Sequence, residues 1–254
     1  MSNDDRAVEI AQALGDVRAR IQKAATKAER AEDEITLIAV TKTYPVSDVE
    51  ILHQLGVRDF GENRSAEGAE KSSFVDGRWH FQGQIQSNKI AAISSWANTV
   101  HSLDDLSHVA KFDRALSAIP GKRLDVFLQI SLDGADHRAG VARDELAQLA
   151  EAVLATENLD LVGLMAVPPV EADADRAFAE IAAIASTFKE KFPMALSLSA
   201  GMSNDRNDFD HVKETSSILP NSKPKPKPKR YTLAKVVFYL LLATYCSYWL
   251  SINQ

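Results

Sequence analysis

Ile35-Thr-Leu-Ile-Ala-Val-Thr41, followed at once by Lys42, decides the fold class of this 254-residue chain. The run is of strand length and rich in β-branched residues, which favour the pleated backbone. It lacks the apolar–polar alternation of a half-exposed strand, as expected for a strand covered on both faces of a parallel sheet. Working outward, residues 5–31 carry apolar positions at helical spacing (Val8, Ile10, Ala11, Leu14, Val17, Ile21) with charges between them. They read as an amphipathic helix. Downstream the pattern repeats strand, then helix. Strands are expected at 57–60, 79–82, 99–102, 125–132, 161–167 and 195–199, with helices at 46–55, 63–71, 103–117, 143–156 and 171–191. Such alternation implies an α/β fold with parallel strands, and its length suits a (β/α)₈ TIM-like barrel.

Only seven strands can be counted by residue 205, so the eighth is missing or replaced. The chain then changes character and divides into a barrel (1–205), a polar and then Lys/Pro-rich linker (206–230) and an apolar tail (231–254). From Arg206 to Gln254 eight basic residues face three acidic ones. That segment is +5, which leaves −11 on residues 1–205 of a chain whose net charge is −6. The run Lys223-Pro-Lys-Pro-Lys-Pro-Lys-Arg230 cannot be helical and reads as an extended, self-repelling linker.

Val236–Ile252 follows, seventeen residues without a charge. Two readings compete for it. As a carboxy-terminal membrane anchor it would span about 25 Å, slightly short of a ~30 Å hydrocarbon core. Its aromatics and the upstream positive cluster suit that reading, which is preferred here. Alternatively, Lys235–Leu242 folds back and fills the vacant eighth strand position.

The acidic balance argues against nucleic acid as a partner, where affinity comes largely from neutralised phosphates. The one cysteine, Cys246, excludes an internal disulfide framework and fits a reducing compartment. Residues 1–10 show no secretory signal, so the body is expected in the cytoplasm, tethered to a membrane if the tail is an anchor. The six histidines show no metal-ligand spacing, and no metal site is expected. Neither a phosphate-binding P-loop nor a Gly-x-Ser-x-Gly elbow is present.

In a parallel barrel, side chains at the carboxyl ends of strands line the site. Lys42 stands there, after the first strand, where partial burial would free its amine for imine formation. From position alone it could equally be a solvated loop lysine. Phe60-Gly-Glu-Asn-Arg64, Trp79-His-Phe-Gln-Gly-Gln-Ile-Gln-Ser-Asn-Lys89 and Leu198-Ser-Ala-Gly-Met-Ser203 close the second, third and seventh strands. Each alone could be turn chemistry or a helix cap. Together with Lys42 they read as an active-site rim. His80 is expected to pack inside the barrel rather than act as a base.

The chain resembles the pyridoxal 5′-phosphate (PLP) homeostasis proteins, single-domain barrels similar to the amino-terminal domain of alanine racemase. The match runs from the first helix to about Asp205. Its motifs are Ala39-Val-Thr-Lys42, Gly61-Glu-Asn63, Trp79-His-Phe-Gln-Gly83, Gln86-Ser-Asn-Lys89, His101-Ser-Leu-Asp104, Gly163-Leu-Met165 and Ser199-Ala-Gly-Met-Ser203. The resemblance implies PLP as cofactor, held as an imine on Lys42 with Asn63 beside it. It also implies that Ser199 and the turn Gly201, Met202 and Ser203 present donors to the phosphate. PLP-dependent apoenzymes would be the recipients, and the chain would be a carrier without turnover of its own. The alternatives are a racemase of this fold type, which needs a second acid/base from an additional β domain, and a binding-impaired, membrane-tethered relative whose tail has displaced the eighth strand.

This sequence departs from the family at two places. Arg138 stands where many relatives have a second lysine. After Asp205 the Gly-x-Thr strand that completes the phosphate cup, and the Arg that faces the pyridine nitrogen, are both missing. Each lost charge-assisted hydrogen bond is worth roughly 1.5–3 kcal/mol.

Overall fold

The strands and helices alternate because each apolar run needs cover on both sides, and a helix laid over the sheet after every strand supplies it. The computed structural model describes residues 3–134, 139–168, 172–200 and 236–241. Seven strands follow in order: β1 (Ile35–Val40), β2 (Asp59–Glu62), β3 (Arg78–Phe81), β4 (Thr99–Leu103), β5 (Leu124–Gln129), β6 (Leu159–Ala166) and β7 (Ser197–Ala200). The helices are α1 (Asn3–Lys27), α2 (Val46–Gln54), α3 (Ser65–Phe74), α4 (Ile90–Trp96), α5 (Leu106–Ser117), α6 (Leu146–Leu154) and α7 (Ala174–Lys191).

An eighth strand, β8 (Val236–Leu241), lies parallel to both β7 and β1 and closes the barrel. Its register against β1 runs from Ile35↔Val236 to Val40↔Leu241, and against β7 it pairs Ser199 with Val237. The eighth position is therefore filled from the tail, and closure leaves no free sheet edge. This corrects the preferred anchor reading, because Val236–Leu241 is strand and not the start of a spanning helix. A β-branched and aromatic run can satisfy its backbone on two waiting edges. The rest of the tail, residues 242–254, lies outside the described residues. Among the described residues, no helix is long and apolar enough to cross a membrane.

Most elements fall where the sequence puts them. α1 buries Ile10, Leu14, Val17, Ile21 and Ala24, one stripe at helical spacing. α5 and α7 start on aspartate caps: Asp105 accepts from Ser107 N–H at 2.6 Å, and Asp173 from Arg176 N–H at 2.9 Å. The sequence reading has no counterpart for α4. It is two turns long, lacks a side-chain cap and buries Ile90, Ile93, Ser94 and Trp96. That is too short a window for a periodicity signal.

The main core lies between the sheet and the helices, around Phe60, Leu52, Ile93, Phe112, Leu116 and Phe178. A smaller apolar cluster, Ile38, Phe127 and Met165, is separate from it. These three side chains come from β1, β5 and β6, on the inner face of the barrel. Val162 packs against this cluster, and polar side chains from β2, β3, β4 and β7 share the inner face.

Candidate functional site

All the strand pairs are parallel, so the carboxyl ends of the strands share one rim. Side chains alternate along a strand, and Ile38 points inward, so Val40 and then Lys42 continue on the inner side. Thr41 N–H still donates to Gly61 O at 2.9 Å, which extends the ladder past β1 and delivers a half-buried Lys42 to the rim. Gln82 N–H likewise donates to Glu62 O at 2.9 Å, and Asn63 stands half-buried just beyond β2. Gly83 follows. A Cβ there would lie 2.0 Å from Asn63 O, so only glycine lets the β3 exit pass this close to Asn63.

The turn that carries Lys42 is clamped from outside the barrel. Lys71 on α3, itself buried, reaches under the sheet and donates to Thr41 O and to Glu62 Oε1, both at 2.6 Å. Thr41 Oγ1 donates to the same Glu62 oxygen at 2.6 Å. Thr43 has φ 69, a left-handed conformation that a β-branched residue adopts only when held. Its N–H donates to Glu67 Oε2 at 2.9 Å. That backbone hydrogen bond, more than the flanking cations, keeps the Glu67 carboxyl below its ordinary range. Glu67 and Lys71 lie one turn apart on α3, 3.6 Å from each other. One helix therefore fixes both sides of the Lys42 turn.

Inside the barrel a second set of polar groups runs from strand to strand. Asp59 Oδ1 lies 3.1 Å from His80 Nε2, His80 Nδ1 lies 2.9 Å from His101 Nε2, and His101 Nδ1 lies 2.8 Å from Ser199 Oγ. His101 stacks on Phe127 at 4.5 Å between centroids. Burial pushes both histidines below their ordinary range, His101 far below, with His80 adding to the effect at His101. Burial would raise Asp59, but hydrogen bonds from His80 and Arg78 outweigh it and hold the carboxyl low. The resting line is thus one carboxylate and two neutral imidazoles.

Lys42 and Asn63 follow β1 and β2 at the carboxyl rim, whereas Ser199 lies within β7, paired with Met165 and Val237, and faces the barrel interior. Ser199 is fully buried, its hydroxyl bonded to His101. Gly201, Met202, Ser203 and Arg138 lie outside the described residues. His80 sits buried in the barrel interior, as expected. Sequence reading missed Lys71, and it gave no role of their own to Gln82, Glu62 or His101. Glu62 and His101 stood inside quoted motifs, but their charge and burial become informative only once their partners are known. Gln82 packs against Gly61, and its Nε2 is buried without an acceptor among the described residues. Other motif residues hold the frame. Ser102 donates to Gly83 O at 2.6 Å, and Asp104 accepts from Gly140 N–H at 3.0 Å.

Two open clefts of about 470 and 360 Å³ lie elsewhere. The larger is at the amino ends of β1 and β2 and is lined by Asp59, Asp33 and Arg18; the smaller is at Trp79 and Trp96. Neither contains Lys42, Asn63 or Ser199. Among the described residues, the carboxyl rim joins the Lys42 amine with the amides of Asn63 and Gln82, which makes it the candidate site.

The alanine racemase N-terminal domain family matches residues 13–214. The pyridoxal phosphate homeostasis protein of Mycobacterium tuberculosis is 38% identical over 222 residues, covering 79% of this chain and 86% of that protein. Its Escherichia coli counterpart is 36% identical over 207 residues, with 78% and 88% covered. PipY of Synechococcus elongatus, solved with PLP bound, superposes with a TM-score of 0.67 at 24% identity, over 91% of this chain and 97% of PipY. An alanine racemase of Clostridium difficile superposes with a TM-score of 0.60 at 16% identity, over 88% of this chain and 57% of the racemase. Sequence match and barrel agree: the chain belongs to the alanine racemase N-terminal domain family, among the pyridoxal phosphate homeostasis proteins.

Proposed function

We propose that this chain is a PLP-binding homeostasis protein that holds the cofactor at the carboxyl rim and passes it to PLP-dependent apoenzymes. The observation that carries the reading is the rim itself. A clamped lysine, an asparagine and a buried amide without an acceptor among the described residues stand at the ends of β1, β2 and β3, with a serine inside the barrel on β7. That set fits a phosphorylated pyridine aldehyde, which needs one amine and several hydrogen-bond donors. When bound, PLP supplies an aldehyde that condenses with a lysine amine to an imine.

Lys42 provides the amine, and the Lys71–Glu62–Thr41 clamp fixes the turn from which it projects. Asn63 and Gln82 offer amide donors on the β2–β3 side. Ser199, with Gly201, Met202 and Ser203 after it, takes the phosphate. The reading assigns the protein to the cytoplasm, in keeping with its single cysteine, Cys246. Titration of the full chain with PLP tests it by absorbance. The imine band should appear with the native chain and be absent from Lys42→Ala. A band of equal strength in both would overturn the assignment of Lys42. Amino-acid racemisation at a rate well above the cofactor alone would favour a racemase instead.

A further inference from the structure

Thr41 to Tyr44 form a hydrogen-bonded turn with an unexpected residue inside it. Tyr44 N–H donates to Thr41 O at 3.1 Å, which closes the turn around Lys42 and Thr43. Thr43 has φ 69 while Lys42 stays at negative φ, the pattern of a type II turn. Its third position calls for glycine or asparagine, because φ is positive there. A β-branched threonine favours the type I form, in which the peptide between the two central residues is turned over. The type II form stands here all the same, so a group outside the turn must select it.

The central peptide identifies that group. Its N–H belongs to Thr43 and points out of the turn to Glu67 Oε2 at 2.9 Å. In the type I form the N–H would face the opposite way, and the Lys42 carbonyl would turn toward Glu67. A carboxylate only accepts, so Glu67 favours the first form and opposes the second. Glu67 is itself held in place. Arg64 Nη1 donates to its Oε1 at 3.1 Å, and Lys71 Nζ stands 3.6 Å from its Oε2. Lys71 acts at the other end of the turn, on Thr41 O, which both turn forms share. It steadies the turn without choosing between them.

We propose that Glu67 is a positioning residue for Lys42, selecting the turn form from which its amine reaches the aldehyde of PLP. The inference rests on the reading of Lys42 as the residue that bonds PLP. What connects the two is the ψ angle of Lys42. It is about 120° in a type II turn and about −30° in type I, and the staggered χ1 wells open to a side chain depend on that angle. With Glu67 in place one backbone form is populated, and Lys42 searches one set of rotamers. Without it the threonine relaxes, and the reactive form returns only against the strain of a left-handed β-branched residue. Imine formation joins the amine nitrogen to the aldehyde carbon with loss of water, so its equilibrium carries that penalty. Capture of the phosphate does not.

Two ligands separate the effects. Pyridoxine 5′-phosphate carries an alcohol where PLP has the aldehyde, so the ratio of their dissociation constants reads the imine alone. In the full chain, Glu67→Ala should cut the advantage of PLP about tenfold, equal to about 1.4 kcal/mol, and leave the affinity of the alcohol within about twofold. Glu67→Gln keeps an acceptor oxygen for Thr43 N–H and should retain most of the advantage. The sharpest variant combines Glu67→Ala with Thr43→Gly. Glycine takes the type II form unaided, so the advantage should return to within about threefold of native. Glu67→Asp, shorter by one carbon–carbon bond of about 1.5 Å, should lose it as the alanine variant does, and replaces that variant if it fails to fold. An unchanged ratio in Glu67→Ala, an equal loss for both ligands, or no recovery with glycine would each overturn the proposal. If the native chain holds PLP no more tightly than the alcohol, or Lys42→Ala keeps the advantage, the reading of Lys42 fails instead.

Discussion

Behind Lys42, the wall between the sheet and α3 is held by full charges; behind Ser199, the barrel interior is held by two uncharged rings. Lys71 and Glu62 are buried together at 2.6 Å, tied to the Thr41 backbone and hydroxyl. His80 and His101 are also buried, and the carboxylate that meets His80 is Asp59. A fixed pair cannot change state without leaving a bare charge in the core, so it suits a lysine that must be held still. The difference separates a wall pinned by paired charges from an interior joined by hydrogen bonds between uncharged rings.

The largest expected effect breaks the first wall. Lys71→Met leaves Glu62 charged and buried, and should lower stability in urea by about 3–5 kcal/mol. Replacing Glu62 with Met as well should return at least half of it. If the single variant loses less than about 1 kcal/mol, the clamp does not hold the turn.

A smaller effect is expected where β8 completes the second wall, beside Ser199. Donors alternate sides along a strand, so one of Phe238 and Tyr239 donates to β1. Of Phe238→Pro and Tyr239→Pro, the worse should lose about 2 kcal/mol by stranding an acceptor in the sheet. Two harmless prolines would mean that Val236–Leu241 does not close the barrel.

The third effect sharpens the contrast through pH. Both histidines have lowered affinity for protons when folded, so their contribution is complete above the unfolded value of about 6.5 and is lost as pH falls below it. Stability should drop by roughly 1–2 kcal/mol between about pH 6.5 and 5, and His101→Gln should flatten that stretch. Asp59, held low, loses its own share only at more acidic pH. A flat profile in the native chain would mean that the rings are already charged at neutrality.

The smallest effect returns to the first wall. Thr43→Gly relieves a left-handed β-branched residue and keeps the backbone N–H on Glu67, so stability should rise by up to about 1 kcal/mol. A loss would show that the threonine side chain matters more than its strain.

Much of this was legible in the sequence. β1, β5 and β6 are mostly apolar runs, helical pattern separates most of the strands, and Lys42 and Asn63 can be assigned to strand ends by counting. The partners of those residues could not be. His101 and Ser199 are 98 positions apart, and Asp59 and His80 are 21 apart, so only strand order brings them together. The Lys71–Glu62 pair crosses from helix to sheet and leaves no periodic trace. β8 was ambiguous for a physical reason. An uncharged, aromatic-rich run suits a bilayer and a sheet equally well, and the empty place between β7 and β1 decided for the sheet.

The central claim is that Lys42 is the residue that bonds PLP. Borohydride reduction of the full chain with PLP, followed by peptide mapping, tests it directly. The account predicts the reduced label on the peptide that contains Lys42, in about one equivalent. Label found mainly on another lysine, with Lys42 unmodified, would contradict it.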